Sequence, residues 1–305
     1  MKSKVMDLQE VVREIPDKGA SIGLGGFIIT RCPIAFVCEL IRQKKAELSI
    51  YSVMGNMESD MLVGAGLVKS YSYPGGSLDR FGRINRINEA IEKGACDIKE
   101  YSGLTISLRA LAGSMGIPFI PTKATLGTDI LKGLLEKDQE NVIVVKSPFD
   151  GETYVYLRSL QPDYSVIHVP FADEKGNAVI TGPLWDVELA KAGKKLIITA
   201  EKVVSSNYMK RMPNATVIPG VFTYAVCEVP YGGYPGAVFG CYDYDAALLT
   251  QYAKINKTQA DFDNWLNEYV LGTKNHHEFL DKCGGLATLQ KLQVDPFYGY
   301  AKGGQ

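Results

Sequence analysis

Residues 18–45, KGASIGLGGFIITRCPIAFVCELIRQKK, read as one strand, a glycine turn and one helix. Ala20 to Leu24 is a short apolar run that ends in Gly25-Gly26-Phe27. Apolar residues resume at helical spacing from Pro33 through Ile34, Val37, Cys38 and Ile41. Pro33 suits the first helical position, where a missing N–H costs nothing and its φ is already set. Paired glycines at the carboxyl end of a strand let the backbone approach a ligand and leave peptide N–H groups to face an anion or a developing oxyanion. Open α/β sheets keep their sites at that end.

Working outward, strand-like runs alternate with helical patterns. The runs are Ser21 to Leu24, Leu48 to Val53, Val68 to Tyr73, Phe119 to Ile120, Val142 to Val145, Tyr164 to Val169, Leu196 to Ala200 and Ala225 to Val229. Helical spacing covers Pro33 to Gln43, Ile84 to Lys93, Leu104 to Met115 and Trp185 to Ala192. Such alternation predicts an α/β, Rossmann-like, largely parallel sheet with helices on both faces. Residues 1–245 are expected to form that domain, and 246–305 a helical C-terminal segment packed on it.

With 305 residues and 46% hydrophobic content the chain can bury a large core. The 33 basic and 34 acidic residues nearly cancel, which gives no electrostatic case for nucleic acid or a membrane surface. Cys32, Cys38, Cys96, Cys227, Cys241 and Cys283 form no Cys-x-x-Cys pair and do not cluster with histidine, so no metal is expected. Met1 to Asp17 has no apolar core of signal-peptide length, and no later run reaches the length of a membrane span. A reduced, cytoplasmic protein is the expectation.

A dinucleotide fingerprint does not fit the turn. The third glycine it requires is Ile28, and the second strand ends in Val53-Met54-Gly55 where an acidic residue should hold the ribose.

The order Gly23-Leu24-Gly25-Gly26-Phe27 with Pro33 six residues on resembles the glycine signature of family I coenzyme A transferases. Five further stretches resemble the A chains of the glutaconate branch of that family, in the same order. They are Arg31-Cys32-Pro33, Leu62 to Tyr71, Ile117 to Pro121, Pro230 to Pro235 and Tyr242 to Asp245. The similarity runs from about Lys4 to about Gln293.

The resemblance implies the family I fold and an enzyme that moves CoA between an acyl-CoA and a small carboxylic acid such as glutaconate. CoA is then a substrate, and no cofactor is implied. In that family a glutamate of the B subunit is the nucleophile, passing through an acyl-glutamyl anhydride to a glutamyl-CoA thioester. Glu58, Glu188, Glu201 and Glu228 match no such motif, so no catalytic residue is expected on this chain. The resemblance also implies a B subunit as partner, with the site at the junction of the two chains and a heterotetramer or larger assembly. Relatives of the family decarboxylate acyl-CoA esters or hydrolyse C–C bonds. A hydrolase would carry an acid near Ser102, with Glu100 close by. A non-catalytic ligand-binding relative is a further alternative, against which stand the apolar residues Phe27, Ile28, Ile29 and Met54 where phosphate-binding clusters belong.

The substrate-facing candidates are Gly25, Gly26, Phe27, Arg31, Met54 and Ser77. Backbone amides of Gly25 to Phe27 are expected to stabilise an oxyanion. Arg31 suits either a bidentate clamp on a dicarboxylate or a structural clasp of the glycine turn. Met54 leaves the second strand in a Gly-Asn turn. Ser77, after Tyr73-Pro74-Gly75-Gly76, matches a substrate-contacting serine of the family, though a helix cap accounts for it equally. Leu126 to Asp129 reads as a channel wall or a helix cap. Asp173 to Asn177 has hairpin-turn chemistry. His168 reads as a core histidine, His276 and His277 as solvated. The Gly, Pro and Tyr run from Tyr231 to Tyr244 suggests contact with another chain, and the tail after Tyr300 a frayed end.

Overall fold

The structure, a computed structural model, describes residues 3–211, 215–295 and 299. The tail after Tyr300 lies outside the described residues. The chain begins with α1 (Leu8–Arg13), β1 (Ser21–Leu24), α2 (Ile34–Arg42), β2 (Leu48–Ser52), α3 (Met57–Gly64), β3 (Val68–Tyr73), α4 (Asn85–Lys93) and β4 (Asp97–Glu100). An excursion follows through α5 (Gly103–Ser114), β5 (Phe119–Thr122), α6 (Asp129–Lys137), β6 (Val142–Lys146) and β7 (Thr153–Arg158). The chain returns as β8 (Tyr164–Asp173), β9 (Ala178–Val179), α7 (Val187–Ala192), β10 (Lys195–Val204), α8 (Ser206–Met209), β11 (Thr216–Ile218) and β12 (Thr223–Glu228). Helices α9 (Ala246–Ile255), α10 (Gln259–Trp265), α11 (His276–Lys282) and α12 (Gly285–Leu292) come next.

The main sheet runs β4-β3-β2-β1-β8-β10-β12 with every pairing parallel. This is the α/β architecture that the alternating pattern predicts. β9 turns back antiparallel on the far half of β8 after the hairpin turn at Asp173–Asn177. Buried on both faces, β8 is apolar nearly throughout, as a central parallel strand must be.

Crossovers carry the chain from β1 outward to β4 on one side, and it re-enters at β8 on the other side of β1. Strand order therefore reverses between β1 and β8, and the crevice beyond their carboxyl ends is the topological switch point. The glycine turn leaves β1 into that crevice.

In α2 every residue from Ile34 to Ile41 is buried, because the helix lies between the sheet and the C-terminal helices. Pro33 takes the N-cap position, one residue before the first helical residue. At the other end the Arg42 guanidinium donates to the carbonyls of Val270 and Thr273, tying α2 to those helices. Tyr252, Phe262, Trp265 and Phe279 share one buried cluster with Ile22, Phe36 and Tyr71.

The excursion forms a separate antiparallel sheet, β5-β7-β6, whose inner face packs on α5 and α6. Several elements lie outside the expected alternation, among them β4, β7 and α3. β4 is a short, polar edge strand, β7 carries more half-buried positions than buried ones, and α3 is buried around its first two turns and so shows no amphipathic period.

Candidate active site at the carboxyl ends of the strands

The glycine turn is locked from within. The Gly25 amide donates to the Val166 carbonyl of β8 at 2.8 Å, Gly26 to Asp186 Oδ2 at 2.9 Å, and Phe27 to the Thr30 carbonyl at 2.8 Å. These three N–H groups, expected to face a substrate, are therefore committed to the fold. The glycines serve close approach instead, since a Cβ at Gly25 would stand 2.7 Å from Ile167, and Gly26 has φ +105. Among the described residues nothing accepts the amide protons of Ile28 and Ile29. Both residues are half-exposed, and Ile28 holds φ 54, a left-handed conformation that a β-branched residue adopts only under constraint.

The reciprocal Phe27–Thr30 bonds close the turn around Ile28 and Ile29, and the next residue, Arg31, is fully buried. Its guanidinium pairs bidentately with the equally buried Asp186, at 2.9 and 3.0 Å, and also donates to the carbonyls of Pro183 and His168. Asp186 thus holds both Arg31 and the Gly26 amide. Of the two readings open for Arg31, this pairing supports the clasp of the turn over a clamp on a substrate carboxylate.

One strand over, the loops after β2 and β3 meet. The Gly55 amide donates to the Gly75 carbonyl at 3.0 Å, and the Ser77 amide to the Gly55 carbonyl at 3.2 Å. A Cβ on Gly76 would stand 2.0 Å from the Gly55 oxygen, so only glycine allows the contact. Met54 is half-exposed beside it. Ser77 is half-buried and its Oγ accepts the Asp79 amide at 3.1 Å, a local turn bond.

Below this ledge lies a buried polar cluster. Glu58, in the first turn of α3, accepts from Asn56 Nδ2 at 3.1 Å and Ser59 Oγ at 3.3 Å, both on Oε1. Glu58 Oε2 and Asn56 Oδ1 are buried without a donor. Burial pushes the Glu58 carboxyl up to about 7, against its own amide, Cys32, Asn56 and Ser59, which favour the charged form. Burial and the adjoining Glu58 hold the Cys32 thiol protonated, and Cys32 Sγ donates to the Ile28 carbonyl at 3.3 Å.

The mouth of the site is apolar. Phe27 stacks on Trp185 with ring centroids 5.8 Å apart, and Leu184 and Trp185 are half open to solvent. Trp185, absent from the sequence candidates, is the aromatic wall beside the turn. Its only sequence signal is an apolar Leu-Trp pair directly ahead of an aspartate.

Several other expectations change. His276 is buried, with Nε2 donating to the Tyr231 carbonyl at 2.9 Å, because α11 packs against α2; only His277 is solvated. Tyr234 and Tyr242 point into this chain's core, where their hydroxyls donate to Asp245 and Glu201, so most of the Tyr231–Tyr244 loop is internal packing. His168 is a core histidine bonded to Thr199 and Glu201. Ser102 is the N-cap of α5 in a capping box with Thr105, and Thr128 caps α6. A cavity of about 950 Å³ lies apart from the ledge, between Val5–Glu10, Val229–Tyr231 and helices α11 and α12. Among the described residues no cluster of metal-ligating side chains is found, and no helix is long and apolar enough to cross a membrane.

Residues 5–228 match the coenzyme A transferase family. The A chain of glutaconate CoA-transferase from Acidaminococcus fermentans is 34% identical over 98% of this chain and 97% of its own. The A chain of 3-oxoadipate CoA-transferase from Pseudomonas knackmussii is 32% identical over 92% and 98%. The crystal structure of the Acidaminococcus glutaconate coenzyme A-transferase superposes with a TM-score of 0.92 at 32% identity, covering 99% of each chain. A structure of the decarboxylase AibA/AibB superposes with a TM-score of 0.76 at 29% identity, over 88% of this chain and 100% of that one.

Proposed function

This chain belongs to the coenzyme A transferase family, and from that premise we propose that it is the A chain of a heteromeric enzyme moving CoA between an acyl-CoA and a small mono- or dicarboxylic acid. Catalysis runs through a glutamyl-CoA thioester on a B subunit, with the site at the junction of the two chains. Glutaconate and 3-oxoadipate, named for the two relatives above, are the first acids to test.

The observation that carries this reading is the turn after β1. It offers two amides without partners, Ile28 and Ile29, at the switch point of the sheet, framed by Phe27, Trp185 and Met54. In the attack, a carboxylate oxygen of the partner's glutamate bonds to the thioester carbon and the carbonyl oxygen gains the negative charge. The Ile28 and Ile29 amides take that oxyanion. Collapse expels CoA thiolate and leaves the acyl-glutamyl anhydride; the thiolate then attacks the glutamyl carbonyl and frees the acid. The incoming acid reverses these steps. Each amide donor in a water-poor site is worth about 3 kcal/mol in the transition state. The apolar mouth serves the same end, keeping water from the anhydride. Ser77 stands beside Gly55 as a donor for the substrate's distal carboxylate.

The acids considered as nucleophile candidates on this chain are otherwise engaged. Glu58 is buried, Glu201 accepts from His168, Tyr242 and the Tyr231 amide, Glu228 from the Val203 amide and Glu188 from Ser114. This supports a nucleophile supplied by the partner.

The test is to co-express the chain with the product of the neighbouring reading frame, incubate with acyl-CoA and trap with borohydride or hydroxylamine before intact-mass analysis. A mass change on the partner that needs both chains is expected. Loss of CO2 from the acyl-CoA without an acid acceptor would replace the transferase with the decarboxylase reading, which the likeness to AibA/AibB favours as second choice.

A further inference from the structure

Glu58 has no part in the mechanism above, yet it sits directly under the turn that does the work. Only one proton is available on the Cys32 thiol, and three acceptors surround it, the Ile28 carbonyl, the more distant Thr30 carbonyl at 3.9 Å and the Glu58 carboxyl. In the structure Cys32 Sγ donates to the Ile28 carbonyl at 3.3 Å, while the Glu58 carboxyl adjoins the same sulfur. The geometry on the Glu58 side favours a proton of its own. Both Glu58 Oε2 and Asn56 Oδ1 are fully buried acceptors with no donor facing them. An acceptor left in that condition costs about 1–3 kcal/mol, which a proton on the carboxyl relieves by turning one acceptor into a donor.

Resting on the proposed function, we infer that Glu58 is a positioning residue whose neutral acid form leaves the Cys32 thiol on the Ile28 carbonyl and so holds the Ile28 and Ile29 amides in line for the acyl oxygen. When Glu58 loses its proton to solvent, the thiol swings to the carboxylate and the Ile28 carbonyl is released. Ile28, at φ 54, is the first of the two residues enclosed by the reciprocal Phe27–Thr30 bonds, and its carbonyl shares a peptide plane with the Ile29 amide, so that plane turns once the carbonyl is released. The remaining bonds of the turn, Phe27 with Thr30 and Arg31 with Asp186, keep the turn in place while its two open amides lose their alignment.

Other groups face Glu58 from every side without replacing it. From the turn come Cys32 and, behind it, the mutually neutralising Arg31 and Asp186. From β3 comes Tyr71, whose hydroxyl pairs with Ser52 Oγ, and from α9 comes Tyr252, which donates to Asp60. Asp60, two residues along α3, accepts from the Arg86 and Ile87 amides, Tyr252 and Asn256, and is pushed up to about 6 by burial. Of these only Cys32 reaches the Ile28 carbonyl. Burial lifts the Glu58 carboxyl to about 7, so the change falls in the accessible range.

The experiment uses the full chain and its complex. Amide 1H and 15N chemical shifts of Ile28 and Ile29 are measured at pH 6 and pH 8.5 in wild type and Glu58→Gln, and kcat/KM of the complex is followed over the same range. In wild type the Ile29 resonance is expected to move, and kcat/KM to fall, with one shared ionisation, while Glu58→Gln, permanently neutral, is flat in both. If Glu58→Gln does not fold, Cys32→Ala serves, since removing the thiol should uncouple the turn from pH. Shifts that ignore pH in wild type, or a pH limb that persists in Glu58→Gln, overturn the inference. A complex that transfers no CoA while the shifts follow Glu58 as described would refute the proposed function and leave the coupling of Glu58 to the turn standing.

Discussion

Asp186→Asn is the most discriminating single change in the site, because it separates the clasp from the clamp. Arg31 and Asp186 are both fully buried and bidentately paired, so the variant leaves a guanidinium without its counter-charge in the interior. Breaking a buried pair in this way costs about 3–5 kcal/mol. With about 2.1 cal/mol/K of unfolding entropy per residue over 305 residues, each ~0.6 kcal/mol shifts Tm by about 1 °C. The expected loss is therefore about 5–8 °C by calorimetry. The double variant Arg31→Met, Asp186→Leu removes both charges; it leaves the Gly26 amide without its acceptor, a cost of about 1–3 kcal/mol, and takes one donor from the Pro183 and His168 carbonyls, a smaller loss for oxygens with two lone pairs. It should unfold at a higher temperature than Asp186→Asn. Additive losses, or a single variant within about 1 °C of wild type, would refute the clasp. In the assembled enzyme the double variant should keep its KM for a dicarboxylate within a few-fold of the wild-type KM. A tenfold rise confined to the dicarboxylate would restore Arg31 as a substrate clamp.

Ser77→Ala loses one local turn bond and should cost under about 1 kcal/mol of stability, yet lower kcat/KM of the complex; unchanged kinetics remove Ser77 from the site. Gly76→Ala drives a methyl against the Gly55 carbonyl and should separate the two loops. Circular dichroism should show the fold retained and activity lost, whereas full activity would mean the contact is not needed. His276 is held at about 3 by burial, below its unfolded value of about 6.5, so its stabilising effect is complete above pH 6.5 and lost as pH falls toward 3. Between pH 6.5 and 4.5 wild type should lose about 2 kcal/mol more than His276→Gln, and parallel pH slopes in thermal melts would contradict the assignment.

The strand, turn and helix of residues 20–42 are legible because their periods change from short apolar run to helical spacing at the glycines, and local pattern suffices there. The same holds for the parallel sheet, whose apolar runs in β8 and β10 admit no exposed face. What the turn does with its amides is not local. The direction of the Gly25 and Gly26 N–H groups is set by Val166 and Asp186, more than 140 residues away, and Asp186 looks like an ordinary helix start. Arg31 can be read as clamp or clasp until that partner is known. His276 misleads for a similar reason: the adjoining histidines sit in a polar stretch, and only the docking of α11 on α2 buries one and leaves the other in water.

Charge on the ledge follows from these pairings. Arg31 and Asp186 cancel, Cys32 stays protonated, and burial keeps Glu58 neutral up to about pH 7. In the proposed site a substrate would meet two amide dipoles and an apolar wall, with almost no net charge to draw in a carboxylate or the phosphates of CoA. Long-range attraction must then come from the partner chain, since a neutral surface leaves little for salt to screen. Titration of CoA into this chain alone should accordingly show weak binding that barely changes between about 50 and 300 mM salt, and the complex a steep loss of affinity over the same range. If the isolated chain binds CoA with the full salt dependence of the complex, that division of labour is wrong, and the basic groups responsible lie on this chain, away from the ledge.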